Sequence, residues 1–314
     1  MIGQSAAFRA IDRMIDKMAA CHAPVLIEGE TGTGKELAAR AIHYRGARRD
    51  RPFVPVNCGA LPDTLVESEL FGHRRGAFTD AHEHQAGLVS LAHSGTLFID
   101  EVDALSPKAQ VTLLRFLQDQ QYRPLGGKRE EQADVRIIAA SNRSLDALVL
   151  AGAFRIDLLY RLKLMVLPLP PLRQRPGDVA LLARHFIEAG AARFGRPVRP
   201  LAAETLAWFE RHDWPGNIRE LEHLVYHGLL VSEGEAVTLP PPPSLAAPSA
   251  DGGPWCYRDA KEKAIAAFEQ AYLAQLIGAT RGNVSMAARL AGTERRHLGR
   301  LLKKHNLRPA ALQA

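Results

Sequence analysis

A glycine-rich run that directly follows a short apolar strand is the feature that most constrains this fold. Residues 25–28 predict a buried strand, residues 37–43 predict a helix, and GETGTGKE lies between them. In this context the pattern G-x-x-x-x-G-K predicts a loop whose backbone N–H groups wrap phosphates while its lysine reaches the outer ones. We therefore expect this loop to bind ATP through Gly29, Glu30, Thr31, Gly32, Thr33, Gly34, Lys35 and Glu36.

Two acidic residues follow another apolar strand, and they suit the hydrolytic partner of such a loop. The strand at residues 96–99 ends in Asp100 and Glu101. Asp100 is expected to hold Mg²⁺, directly or through water, and Glu101 to polarise the attacking water. The simpler alternative is an acidic start to the next helix, where carboxylates are also favoured. The loop departs from the usual pattern at Glu36, where a Ser or Thr hydroxyl ordinarily helps to hold the metal.

A further strand, at residues 135–140, ends in Ser141 and Asn142 at the same predicted edge of the sheet. The amide of Asn142 can orient water beside the γ-phosphate, or it can cap the following helix. Position in the sequence favours neither interpretation over the other.

The order of apolar and amphipathic segments predicts the domains. Strands at 25–28, 53–56, 96–99 and 135–140 alternate with helical segments, which predicts a mostly parallel sheet with helices on both faces over residues 1–171. Helical periodicity replaces the strand pattern over residues 172–239. The Pro-, Ala- and Gly-rich run that follows predicts a linker at residues 240–257. Residues 258–314 are then expected to form a separate all-α domain.

Charge is distributed unevenly along the chain. The net charge is +6, and the segment from residue 258 onward holds 11 basic and 4 acidic residues, so the rest of the chain is close to neutral. A small basic domain on a neutral body is typical of nucleic-acid binding, although a solvated basic tail has the same composition. No apolar run approaches the ~20 residues of a membrane span. The cysteines Cys21, Cys58 and Cys256 are expected to be free thiols in a reducing cytoplasm.

The C-terminal segment has the pattern of a helix-turn-helix. Residues 261–276 are amphipathic, Ser285 is expected to cap a short helix, and Gly292 is expected to form a tight turn before a helix at 293–305. A generic basic helical bundle is the alternative. The side chains expected to contact DNA bases and phosphates are Arg295, Arg296, His297, Arg300, Lys303 and Lys304.

Six motifs in fixed order carry a family resemblance. They are GETGTGKE, FVPVNCGALPDTLVESELFGHRRGAFTDA, GTLFIDE, RIIAASNRSL, FRIDLLYRLKLMVLPLPPLRQRPGD and WPGNIRELEHLV. Over residues 2 to 239 the chain resembles the central AAA+ domain of sigma-54-dependent transcriptional activators. The run GNVSMAARLAGTERRHLGRLLKKHNL, residues 282–307, resembles the Fis-type helix-turn-helix that closes many of them. The resemblance implies a P-loop AAA+ fold with a small helical lid subdomain at residues 172–239.

The resemblance also assigns roles to single residues. It explains Glu36, since this family has Glu after the P-loop lysine. Asn57 matches the residue that switches the catalytic glutamate, Asn142 the nucleotide-sensing asparagine, and Arg219 the lid arginine that senses nucleotide. Arg155 and Arg161 match the arginines that one subunit supplies to its neighbour's ATP. A ring-shaped homo-oligomer, expected to be a hexamer, follows from them.

The loop expected to contact sigma-54 departs from the family at one position. It comprises Gly76, Ala77, Phe78, Thr79, Asp80 and Ala81. The family has Gly where this chain has Asp80, which adds a negative charge at the expected contact. The resemblance implies an activator that binds upstream DNA and remodels the closed complex of sigma-54 RNA polymerase through Phe78.

Two alternatives to that function stay open. One is a DNA-binding regulator that does not use sigma-54, and the other is an AAA+ remodeller of a different client. Regulation is expected either from an N-terminal domain that was removed from this sequence or from a separate regulatory protein.

Overall fold

The computed structural model describes residues 1–77, 83–232, 234–240, 273, 276, 280, 283–293 and 295–304. The chain divides into two compact units, Met1–Pro242 and Pro243–Ala314. Helices of the first unit are α1 (Ala6–Ala19), α2 (Lys35–Tyr44), α3 (Asp63–Phe71), α4 (Leu88–Leu91), α5 (Pro107–Asp119), α6 (Leu145–Leu150), α7 (Ile156–Leu162), α8 (Asp178–Phe194), α9 (Ala203–Phe209) and α10 (Asn217–Val231). Its strands are β1 (Val25–Glu28), β2 (Phe53–Asn57), β3 (Gly72–His73), β4 (Gln85–Ala86), β5 (Thr96–Asp100), β6 (Gln121–Tyr122), β7 (Glu131–Gln132), β8 (Arg136–Ser141) and β9 (Met165–Pro168).

Five of these strands form one parallel sheet in the order β2-β5-β8-β1-β9. The predicted parallel sheet is therefore confirmed, and its four predicted strands lie within one residue of their expected bounds. Strand order reverses at β1, which lies between β8 and β9. In open parallel sheets a ligand crevice forms at the carboxyl ends of the strands where the order reverses. The glycine-rich loop leaves β1 at this point.

The sequence pattern did not predict strand β9. Its four residues end in Pro168, and the residues after it include Pro170 and Pro171, which argue against a central strand. The strand forms because it lies at the edge of the sheet, where a proline leaves no ladder partner unsatisfied. The opposite edge strand, β2, contains Pro55 for the same reason.

Both faces of the sheet are covered by helices. In β1 the side chain of Leu26 packs into the core that contains α5 and α7, while Val25 and Ile27 pack into the core that contains α1 and α2. All three are fully buried. Burial of one such aliphatic side chain contributes about 1.5–3 kcal/mol, so alternation along the strands anchors a helical layer on each side.

The helices after residue 172 form a separate core of their own within the first unit, as their periodicity predicted. Residues from α8, α9 and α10 surround the fully buried Trp214, whose indole N–H donates to the carbonyl oxygen of Phe209 at 2.9 Å. We refer to residues 172–240 as the lid. Among the described residues, no helix is both long and apolar enough to cross a bilayer.

The second unit contains two described helices, Val284–Leu290 and Arg295–Lys304. The cap of the first differs from the expected Ser285, since the side chain of Asn283 accepts the N–H of Met286 at 3.1 Å. Asn283 lies just outside the helix with extended backbone, as a cap must. Gly292 has a left-handed φ of 60° between the helices, and Leu298 and Leu302 are buried. The expected linker after residue 240 and most of the expected helix at 261–276 lie outside the described residues.

Candidate nucleotide-binding site

The glycine-rich loop turns sharply between β1 and α2. Gly32 and Gly34 have left-handed φ values of 79° and 94°, which side chains disfavour. Gly34 precedes α2 without a side-chain cap, so the N–H groups of the first turn are available to an anion. The loop N–H of Gly29 is held 3.2 Å from the carbonyl oxygen of Ser141, at the end of β8. The predicted loop thus has the backbone geometry that an anion site requires, at the point where the strand order reverses.

Lys35 begins α2 and its side chain folds back over the loop. Its Nζ donates to the carbonyl oxygens of Gly29 and Glu30 at 2.8 and 3.1 Å. Burial lowers the pKa of Lys35, and the charges of Asp100, Asp103 and Glu101 oppose that fall. The ammonium can exchange the carbonyl contacts for phosphate oxygens without leaving the loop.

Asp100 and Glu101 lie at the carboxyl end of β5. Burial raises the pKa of the Asp100 carboxyl, although the N–H of Glu101, 3.0 Å from its Oδ1, partly offsets the rise. A bound cation would stabilise the ionised carboxylate and so offset the cost of its burial. No cluster of three metal-ligating side chains occurs in the part of the chain that is described. This donor set fits Mg²⁺, which commonly binds through one or two carboxylates together with substrate phosphates and water.

The side chains of Glu101 and Asn57 both lie against the backbone of Gly59. Glu101 has a left-handed φ of 55°, and its Oε2 occupies the space that a Cβ on Gly59 would need. Asn57 ends β2, and its Oδ1 accepts the N–H groups of Gly59 and Ala60 at 2.8 and 3.2 Å. The structure therefore brings the two predicted residues to the same backbone turn, where the Asn57 side chain is engaged with the turn.

Asn142 is placed beside the loop. Its Nδ2 lies 3.5 Å from the Thr31 hydroxyl, at the limit of a hydrogen bond. The preceding Ser141 hydroxyl lies 2.9 Å from the Oδ1 of Asp103. Sequence reasoning missed Asp103, which follows the DE pair by two residues and ties the ends of β5 and β8 together.

Glu30 and Glu36, which were both expected to bind nucleotide, each form an ion pair with an arginine. The Glu30 carboxylate is paired with Arg173 of the lid at 2.6 and 2.9 Å, and Asn217 donates to it at 3.1 Å. These hydrogen bonds lower the pKa of Glu30 to about 2, and the bond from Arg173 has the largest effect. Glu36 is paired with Arg40 one turn later in α2. Sequence reasoning missed Arg173 and Asn217, although both lie in quoted motifs.

A cavity of about 510 Å³ that is open to solvent lies along α10, beside Thr31 of the loop. Thr31 and Arg219 line it, together with His223 and His227, which follow Arg219 at successive turns of α10. Arg219 is thus placed on a wall of the same crevice as the loop. The two histidines were not predicted, since their four-residue spacing from Arg219 carries meaning only once the helix is known to face the loop.

Arg155 directly precedes α7, and Arg161 lies within it. Arg155 is paired with Asp157 at 2.7 Å, and Arg161 is exposed in the last turn. Four apolar side chains on α6 and α7 or just after α7 are exposed, namely Leu150, Ile156, Tyr160 and Leu164. Such a group of apolar side chains favours a protein contact.

The expected sigma-54 loop is described at its base. Phe78, Thr79, Asp80 and Ala81 lie outside the described residues, whereas Gly76 and Ala77 end the preceding segment. Strands β3 and β4 pair across the base, and the N–H of Leu125 donates to the carbonyl oxygen of Gly72 at 2.9 Å. The loop therefore arises from a two-stranded support that is also bonded to the β6–β7 hairpin.

In the second unit, the predicted basic residues lie on the helix Arg295–Lys304. His297, Arg300, Lys303 and Lys304 are exposed, opposite the buried Leu298 and Leu302. Arg295 and Arg296 lie in its first turn, and their side chains are outside the description. The helix therefore presents basic side chains away from its core.

A parallel sheet with a glycine-rich phosphate loop, an acidic strand end and a helical lid defines a P-loop nucleoside triphosphatase fold. Residues 1–168 match the sigma-54 interaction domain, and residues 173–247 match the AAA+ ATPase lid domain. The chain belongs to the sigma-54 interaction domain family, which confirms its resemblance to sigma-54-dependent activators.

Individual relatives agree with this assignment. The hydrogenase transcriptional regulatory protein HoxA of Bradyrhizobium diazoefficiens is 41% identical over 91% of this chain and 60% of HoxA. The regulatory protein AtoC of Escherichia coli is 40% identical over 94% of this chain and 65% of AtoC. The crystal structure of NtrX from Brucella abortus in complex with ATP has a TM-score of 0.74 at 33% identity, over 97% of this chain and 69% of NtrX. This chain spans less than two thirds of the length of HoxA and of AtoC.

Proposed function

We propose that this protein is an ATP-dependent transcriptional activator that binds DNA upstream of a promoter and remodels sigma-54 RNA polymerase. The observation that carries the proposal is the convergence of Lys35, Asp100 and Glu101 beneath a lid that bears Arg219. Membership of the sigma-54 interaction domain family supports the choice of partner, and the NtrX complex with ATP supports the choice of nucleotide.

The chemistry follows from the side chains. The N–H groups of the loop and Lys35 bind the phosphates, and Asp100 would hold Mg²⁺, which would neutralise phosphate charge when bound. Glu101 takes up a proton from the attacking water, which Asn142 orients. Arg219 contacts the nucleotide from the lid side. These roles are supported by the sheet order, because Glu101 and Asn142 follow the carboxyl ends of β5 and β8, at the same edge as the loop after β1.

Assembly completes the site in this proposal. Arg155 and Arg161 act on the ATP of a neighbouring subunit in a ring, expected to be a hexamer, so hydrolysis depends on self-association. The exposed apolar side chains around α7 support a subunit contact there, since Tyr160 and Leu164 are 71% and 67% exposed. Arg155 would exchange its pairing with Asp157 for the neighbour's phosphate. We place this assembly in the cytoplasm, in line with the free thiols of Cys21 and Cys58.

Hydrolysis is then coupled to the polymerase through the loop at residues 76–81. Phe78 and Thr79 contact sigma-54, and the support formed by β3 and β4 transmits movement from the nucleotide site. The decisive test is opening of a sigma-54-dependent promoter by purified protein, holoenzyme and ATP. We expect opening that requires ATP and that is lost in the Glu101→Gln variant.

A second candidate function rests on Asp80. Its charge occupies the expected sigma-54 contact, so the protein could act as a DNA-binding regulator that does not use sigma-54. Opening by the wild-type chain excludes this candidate. No opening by a chain that hydrolyses ATP and binds DNA favours it, unless Asp80→Gly restores opening.

DNA binding is assigned to the helix Arg295–Lys304, which is expected to act as the second helix of a helix-turn-helix. Replacing Arg300 with alanine is expected to weaken binding to a specific site about tenfold, since an arginine that reads a base contributes about 1–3 kcal/mol. Titration of fluorescent duplex DNA measures the affinity. Arg211→Ala, which removes the same charge from an exposed position in the lid, is the matched control. Equal losses in both variants would contradict a specific role for Arg300.

A further inference from the structure

The lid touches the phosphate loop through backbone as well as side chains. The N–H of Ile218 donates to the carbonyl oxygen of Gly32 at 3.0 Å. A Cβ on Gly32 would collide with the carbonyl oxygen of Gly216, so the two segments are in direct contact. A change in the position of the lid therefore has to be accommodated by the loop that is expected to hold the phosphates.

Asn217 lies at the centre of this contact. It is fully buried and has a left-handed φ of 52° at the start of α10. Its Oδ1 accepts the N–H of Leu172 at 2.8 Å, and its Nδ2 donates to the carbonyl oxygen of Thr31 at 3.0 Å and to Glu30 at 3.1 Å. One short amide thus connects the loop, the chain crossing into the lid and the first turn of α10.

The chemistry of the position favours asparagine. An aspartate would keep the acceptor for Leu172 but lose both donor bonds, and it would place a carboxylate beside that of Glu30. A glutamine is one methylene longer in a fully buried position. Asparagine also tolerates left-handed backbone better than most residues.

Glu30 and Arg173 form the outer part of the same contact. The guanidinium pairs with both oxygens of the carboxylate, and the two side chains are 42% and 40% exposed. Exposed ion pairs contribute little to folding free energy. A paired fork does, however, restrict the relative position of the two segments it joins. The effect of this pair is expected to be mainly on geometry.

We propose that Asn217, Glu30 and Arg173 form a clamp that holds the lid on the phosphate loop, with Asn217 as a positioning residue for ATP hydrolysis. The clamp acts through Thr31 and through Arg219, which follows Asn217 by two residues and lines the same cavity. Glu30 then serves the lid contact instead of the nucleotide directly. This inference rests on the proposed ATPase function.

The test compares steady-state ATP hydrolysis in variants of the full chain. Asn217→Gly removes the amide and suits the left-handed backbone, so its effect is free of backbone strain. We expect it to lower kcat/KM about tenfold or more, because small misplacements of reacting groups are costly. Asn217→Asp is expected to do the same at almost unchanged side-chain volume. Affinity for a fluorescent ATP analogue separates loss of binding from loss of turnover.

A double-mutant cycle covers the outer pair. Glu30→Gln and Arg173→Gln are each expected to lower kcat/KM about fivefold, and the double variant is expected to be no worse than either, since both break one interaction. Arg45→Gln is the matched control, because Arg45 also forms exposed carboxylate pairs and is 37% exposed. The control is expected to keep wild-type kinetics. These surface variants keep the test decisive if the Asn217 variants fold poorly.

The outcomes are distinguishable. An active wild-type chain whose Asn217→Gly variant folds and keeps its kcat/KM, or whose Glu30 and Arg173 effects multiply, would overturn the clamp. A wild-type chain without ATP hydrolysis, and without binding of the analogue, contradicts the proposed function and with it this role of Asn217.

Discussion

Replacing Glu101 with glutamine is expected to lower the kcat of ATP hydrolysis by about 100-fold or more, because removal of a positioned general base typically has that effect. The amide has the size of the carboxylate and can occupy the same place against Gly59, but it cannot accept a proton from water. Affinity for ATP is expected to stay within about threefold, since Lys35 and the loop are untouched. Single-turnover hydrolysis and equilibrium binding of a fluorescent analogue measure the two quantities.

Glu188→Gln provides the control for this substitution. Glu188 is exposed on α8, so the same change of charge there is expected to leave both quantities at wild-type values. A Glu101→Gln variant that retains more than about a tenth of the wild-type kcat would contradict the assignment of Glu101 as the base. Asp103, the next carboxylate toward the end of β8, would then be the residue to examine.

Replacing Asp178 with asparagine is expected to lower the free energy of unfolding by about 3 kcal/mol or more, the cost of removing one partner from a buried ion pair. Asp178 is fully buried at the start of α8 and accepts the N–H groups of Gln4 and Ser5 at 2.7 and 2.9 Å. Its other oxygen accepts the Nε of Arg175 at 2.9 Å. Arg175 is only 4% exposed, so the variant leaves an uncompensated buried guanidinium. Urea denaturation measures the loss.

The same carboxylate predicts a pH dependence. Burial acts to raise the pKa of Asp178, but the hydrogen bonds from Gln4, Ser5 and Arg175 outweigh it and the net pKa is lowered. A lowered pKa means that the contribution to stability is complete above the unfolded-state value of about 4 and is lost as the pH falls below it. The difference between wild type and Asp178→Asn is therefore expected to shrink on acidification. Asp50→Asn, at an exposed position, should show no such convergence.

Local patterns in the sequence sufficed for most of the sheet and for the loop. The glycines, Lys35 and the Asp100-Glu101 pair are contiguous with the strands that position them, so short windows carry the information. Strand β9 was not predicted because its prolines argue against a strand. The strand forms only because it lies at the edge of the sheet. The helix cap at Asn283 was misplaced by two residues because Asn and Ser are both good caps and the backbone decides between them.

The lid contact was beyond sequence reasoning for a different reason. Glu30 was expected to bind nucleotide because it lies within the loop, whereas its partners Arg173 and Asn217 are separated from it by 143 and 187 positions. Such contacts depend on how the lid core around Trp214 packs against the sheet. The family motif drew attention to Arg219, whereas the hydrogen bonds to the phosphate loop are made by Asn217, two residues earlier.

The attachment of the first few residues to Asp178 has a mechanical consequence. The lid is joined to the sheet by the covalent crossing at residues 169–172 and, independently, by Asp178 holding the backbone of Gln4 and Ser5. A rigid body that is held at two points rotates most easily about the line that joins them. The proposed clamp at Asn217 is a further attachment, and it opposes this rotation. Because α8 begins at Asp178 and is about 25 Å long, a small rotation of the lid about this line displaces the far end of the helix by several ångströms.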